Sequence, residues 1–240
     1  MALYFSEIDD LITHTLGEPC PPPLTSYSIA NTAGRILFSA KPGGWAFAIP
    51  PAVSLTLLAG TDVVALPSDF ESLVAIKFRQ DLAGFCEFVS IDALEDLRSS
   101  TATGNNFVYV ALGRTSLSAT AAPIPQLEIW PTPTITSANA IKLRYKQAWP
   151  ELDADGDIIP IPTYCYEAYR AIVCAVARAM VEPEELGMSM PQAVEAMAGD
   201  LIRLAMRHEG MLQPSLGKMR DSVSSALRYT DWFYTDKVTM

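Results

Sequence analysis

Asp153, Asp155 and Asp157 stand at alternate positions in the run Asp153-Ala154-Asp155-Gly156-Asp157. Carboxylates spaced this way can converge on one hard cation. A twelve-residue calcium loop, however, needs glycine at its sixth place and a bidentate glutamate at its twelfth. Here the glycine comes fourth and Tyr164 occupies the twelfth place. The cluster therefore reads as an acidic turn built on the turn preferences of Asp and Gly, with a weak surface cation as the alternative.

Other residues with chemical potential are scattered. His14 and His208 each fall near the predicted end of a helix, where a protonated imidazole complements the helix dipole. Cys20, Cys86, Cys165 and Cys174 show no CxxC spacing and no neighbouring histidine, which argues against zinc. Nine residues of helix separate Cys165 from Cys174 by about 13 Å, beyond disulfide reach, so all four read as reduced, mostly buried thiols. Lys41-Pro42-Gly43-Gly44 lacks the rest of any nucleotide motif, and no serine sits in a G-x-S-x-G context. Glu95 with Asp96, and Glu182 with Glu184 and Glu185, flank helices and read as solvated caps. The expectation is a chain with no catalytic, cofactor or metal residues.

The 240 residues are half apolar and carry a formal net charge of −10. That balance argues against a protein whose main task is to grip a phosphate backbone. No run approaches the roughly 18 apolar residues of a membrane span, and the N-terminus lacks the basic start and long apolar region of a secretory signal.

The elements that must position these residues fall into two kinds. Helical spacing predicts helices at Tyr4–Leu16, capped near Ser6, and at Ser26–Ala40, with the run Pro21-Pro22-Pro23 as a stiff connector between them. Between Trp45 and Tyr145 short alternating segments predict strands. They are Trp45–Ile49, Val53–Leu58, Val63–Leu66, Leu73–Arg79, Cys86–Ile91, Phe107–Leu112, Leu127–Trp130 and Ile141–Lys146, with a small helix over Ser90–Arg98. Their number and spacing suggest an antiparallel sandwich or barrel. Helical period returns over Thr163–Val181 and Ser189–His208, the latter with Ala193, Ala196, Met197, Leu201, Leu204 and Ala205 as its apolar stripe and Gly210 as its stop, and again near Leu216–Tyr229.

These segments make an α+β chain, a discontinuous helical bundle with a β domain inserted in it. Residues 1–44 and 149–229 supply the bundle, 45–148 the β-sandwich or barrel, and 230–240 an extended tail. At the junction with that tail, Tyr229, Trp232, Phe233 and Tyr234 place four aromatics in six residues. They are candidate partner-interface residues, suited to a neighbour's pocket or to folding back on their own bundle.

Several weak motifs also occur in a telling order. Ile29-Ala30-Asn31-Thr32-Ala33-Gly34-Arg35-Ile36-Leu37 is followed by Trp45 and by Leu66-Pro67-Ser68-Asp69-Phe70. Then come Leu127-Glu128-Ile129-Trp130-Pro131-Thr132-Pro133, Leu143-Arg144-Tyr145 with Leu152, the acidic turn, Ile161-Pro162, and the Ala-rich Ala168–Ala179. In this order the chain resembles the head-to-tail adaptor, or connector, proteins of tailed bacteriophages, over roughly residues 1–210. Ser215–Met240 lies outside the resemblance.

The resemblance implies a virion structural protein, assembled in the host bacterial cytoplasm, whose function is mechanical. Such a protein forms a twelve-fold homo-oligomeric ring that joins the portal protein to the tail nozzle or tube. DNA passes through its channel without specific binding, and no membrane is involved. The alternatives are another neck or tail component, such as a stopper or nozzle subunit, a calcium-binding β-sandwich module, or a hydrolase using the β region.

Overall fold

The computed structural model describes residues 2–78, 87–99, 109–114 and 124–212. The chain is mixed α+β, with helices at both ends of this range and two sheets between them. Helix α1 (Phe5–Leu16) opens with Tyr4 at its cap position, two residues before the expected Ser6, and Gly17 closes it at φ 75°. Helix α2 (Ser26–Ala40) opens on a reciprocal cap, in which the Ser28 amide donates to Thr25 Oγ1 and the Thr25 amide to Ser28 Oγ. The segment expected as a strand at Trp45–Ile49 is instead a 3-10 turn, Ala46–Ala48. The Trp45 indole N–H donates to the Leu37 carbonyl at 2.7 Å, which ties this segment to α2 and away from any sheet.

Strands β1 (Val53–Leu57), β2 (Val63–Ala65) and β3 (Phe70–Phe78) follow, then β4 (Glu87–Phe88), helix α3 (Ile91–Arg98), β5 (Tyr109–Arg114), β6 (Pro125–Trp130) and β7 (Ser137–Gln147). One sheet has the order β1-β7-β3 and the other β2-β6-β5-β4. All pairings are antiparallel except β4 with β5, which is parallel, a departure from the all-antiparallel expectation. The helix between these two strands returns the chain to the same end of the sheet, which parallel pairing requires. In β7 the register against β1 slips between Ile141 and Ser137, where Asn139 takes φ 52°, the geometry of a bulge.

After the acidic turn a 3-10 turn, Thr163–Cys165, leads into α4 (Tyr166–Val181), the short α5 (Pro183–Leu186) and α6 (Met190–Leu212). Helix α6 runs through Gly210 and does not stop there. Helix α4 touches α1, α2 and α6, and its Ala168, Ala175 and Ala177 are buried at those contacts. Small side chains let the helix axes approach closely.

Two apolar cores result. The first joins Phe5, Ile8, Ile29, Leu37, Trp45, Trp149, Tyr169 and Ile172 with residues of α6. The second joins Leu57, Ile141, Leu143 and Tyr145 of one sheet to Val64, Val110, Leu127 and Ile129 of the other. The stripe of α6 that faces the first core is Ala193, Val194, Ala198, Ile202 and Ala205. The expected stripe is thus rotated: Met197 and Leu204 point outward, at 37% and 59% exposure.

Candidate functional site

The acidic turn is consumed by its own fold. Asp157 Oδ2 accepts the amides of Asp153 (2.9 Å) and Ala154 (3.0 Å), and these bonds hold its carboxyl below the ordinary range. Asp155 Oδ1 accepts the Tyr27 hydroxyl at 2.5 Å. The Phe5 amide donates to the Asp157 carbonyl, and Tyr4 bridges to Ile158, so the turn fastens the start of α1 and the flank of α2. Among the described residues no group of three or more Asp, Glu, His or Cys side chains is arranged to hold a metal ion.

Two further clusters hold elements together in the same manner. Glu209, 2% exposed on α6, pairs with Lys41 and accepts the Ala46 amide at 2.7 Å and the Tyr164 hydroxyl at 3.3 Å. Lys41 also lies over the Trp45 ring, 5.5 Å from its centroid. Tyr164 stacks on His208, and its hydroxyl is held protonated by burial and by Glu209. One carboxylate thus locks the exit of α2 and the entry to α4 onto α6. A buried charge is tolerated only when paired and hydrogen-bonded, as here.

The second cluster centres on Arg98. Expected only as the basic end of α3, it bonds Glu128 at 2.7 Å and Glu95 at 2.5 Å and lies 2.8 Å from Asp62. It clamps α3 to β6 and to the turn before β2. The Glu128 carboxylate fits because Gly113 faces it, where an added Cβ would come within 2.4 Å of Oε1.

A third polar centre is Asn31, 7% exposed in α2. Its carbonyl oxygen accepts the Trp149 indole N–H (3.0 Å) and the Leu152 amide (2.9 Å), while its own amide donates to the Leu152 carbonyl (3.0 Å). This residue lies within the run Ile29–Leu37 singled out in the sequence, where the side chain reads only as a polar interruption.

Cys165 is a buried free thiol, its pKa pushed up to about 12 by burial and by Glu209; Cys20 and Cys174 are free as well. Cys86 lies outside the described residues, as do the candidate interface residues Tyr229, Trp232, Phe233 and Tyr234.

Contact surface is the more telling feature. Met197, Leu204 and Met211 recur every seven residues along the outer side of α6, at 37%, 59% and 77% exposure. Leu58 and Ile135 stand out at one tip of the sheets, at 55% and 61%, where the Ala59 amide and Thr136 hydroxyl join the two turns. Between α2 and α6 runs a groove of about 620 Å³, lined by Ile36, Ala40, Met190, Val194, Ile202 and Met206 with Arg203 at its side. The sequence did not single out this groove, because it arises only when two helices that are far apart in the chain pack side by side.

The carboxylates are thus tied into turns and helix junctions, and apolar surface stays uncovered on α6 and at the tip of the sheets. The chain matches the model of the SU10 adaptor protein family over residues 28–230 and belongs to that family of bacteriophage head–tail adaptors. It is therefore a phage structural protein of the virion that associates with other head or tail components. No curated protein matches it. Among the described residues no helix is long and apolar enough to cross a membrane.

Proposed function

We propose that this chain is the ring-forming adaptor at the head–tail junction, a dodecamer that joins the portal to the tail nozzle or tube and lines the DNA channel. The observation that carries this reading is the adaptor-family match across residues 28–230. The helices form a discontinuous bundle that makes the ring body, and the sheets form an inserted β-sandwich. Rings beyond a dimer need two different patches on each subunit, and the outer stripe of α6 and the Leu58–Ile135 tip are two separate uncovered surfaces that suit this demand. The net charge of −10 favours a channel wall that repels DNA and lets it slide.

The segment Tyr229, Trp232, Phe233 and Tyr234 meets a neighbouring subunit or the next tail component in the assembled virion. Deleting residues 229–240 should leave the chain folded and weaken binding to the portal ring, read by co-sedimentation. Loss of folding on deletion would assign the segment to the core of its own subunit.

A further inference from the structure

The groove between α2 and α6 is a mostly apolar trough on the surface of a single chain. Its walls are mainly methionine and aliphatic side chains, with Ser39, Glu195 and Arg203 among them. Met190 and Met206 offer thioethers, which make favourable contacts with aromatic rings. Arg203 lies at the groove, held by Glu195 and Asp200, and a guanidinium beside an apolar wall suits an aromatic face. The volume of about 620 Å³ is room for a few large side chains, not for a folded partner. A short aromatic segment suits that room.

This chain carries one. Tyr229-Thr230-Asp231-Trp232-Phe233-Tyr234 begins seventeen positions after Leu212, where α6 is last described. This connection reaches about 33 Å with the helix that the periodicity predicts over Leu216–Tyr229, and about 55–60 Å fully extended. The whole of α6 back to Met190 is about 33 Å long, so the segment can return to the groove beside its own helix. A covalent connection of this length gives an effective concentration of about millimolar, well above that of a second copy at micromolar concentration.

We infer that in the free subunit the aromatic segment Tyr229–Tyr234 docks in the α2–α6 groove of its own chain. Docked there, it keeps its anchors and the groove from other copies until a partner displaces it. The inference concerns the free chain and stands whether or not a ring forms on a portal.

Fluorine NMR on the full chain labelled with fluorotryptophan tests it. The chain has four tryptophans, and Trp232→Phe assigns the line of Trp232. A docked Trp232 is shielded from a soluble paramagnetic agent, equally so on dilution to low micromolar. Ser39→Glu, at an exposed position of the groove, and Met190→Glu should each return the Trp232 line to solvent while the lines of Trp45 and Trp149 stay in place. A solvent-exposed Trp232 in the unaltered chain overturns the inference. So does shielding that vanishes on dilution, which makes a second copy the occupant, or shielding that both groove variants leave intact. Failure to assemble on a portal counts against the ring and leaves these readouts unmoved.

Discussion

Trp149 lies against Gly34 so closely that a Cβ on Gly34 would stand 2.1 Å from the indole Cε2. The ring also stacks on Tyr169 and meets Phe38 edge-on, and its N–H is held by Asn31. The indole, 5% exposed, therefore cannot retreat, and α2 has a glycine where the strand β7 hands the chain back to the helices. Glycine is needed here for space, since its φ is ordinary for a helix.

Gly34→Ala should accordingly destabilise the protein despite alanine's better helix propensity. Overpacking of this kind costs about 1–3 kcal/mol, against about 1 kcal/mol of propensity gained. Urea unfolding of the two proteins measures the balance, and a stabilised variant would mean that Trp149 moves aside freely.

Trp45 is fully buried in the helical core and bonds Leu37. Removing it as Trp45→Ala should cost about 3–5 kcal/mol, the usual range for a large aromatic truncated in a core. The loss should appear as faster amide exchange in α2 and α6 ahead of the sheets. Exchange rising first in β1 or β7 would instead tie the ring to the sheet core.

The Arg98 clamp can be separated from simple packing. Arg98→Ala leaves Glu128 buried without its cation, at a cost of about 3–5 kcal/mol. Arg98→Ala combined with Glu128→Gln should recover part of that loss, because the uncompensated charge is gone. A double variant no more stable than the single one, measured in the same denaturant series, would show that the charge of Glu128 is unimportant.

Alkaline pH should weaken the fold in a defined window. The hydrogen bond to Asp155 raises Tyr27 to about 12; burial, then the bond to Asp69, raises Tyr145 to about 12. Unfolded tyrosines ionise near 10. The native state thus keeps protons that the unfolded state releases, so stability is full below pH 10 and falls as pH rises towards 12. Tyr145→Phe should flatten this fall, read from melting temperature against pH.

Much of the fold was legible because hydrophobic period and caps act locally. Helix α2 appears with the bounds its periodicity predicts, and the strand positions of β1, β2 and β6 lie within a few residues of expectation. Trp45–Ile49 was misread because alternating Trp, Phe and Ile mimic a strand, whereas burial of Trp45 under α2 decides its conformation. Helix α6 carries two apolar stripes. Ala193, Ala198 and Ala205 let α4 approach closely and bring Val194 and Ile202 into the core with them, whereas helical period alone fits the Met197–Leu204 stripe equally well. The junction residues Asn31, Arg98 and Glu209 gave no local signal, since their partners lie up to 168 positions away in the chain. The acidic turn, by contrast, was readable from Asp and Gly alone.

A ring adaptor must seat on its portal. Light scattering with negative-stain imaging, on the chain alone and mixed with the portal ring of the same phage, tests it most directly. Portal particles should appear capped by a second ring of twelve added subunits. A chain that stays at its free mass and leaves the portal bare at saturating concentration would contradict it.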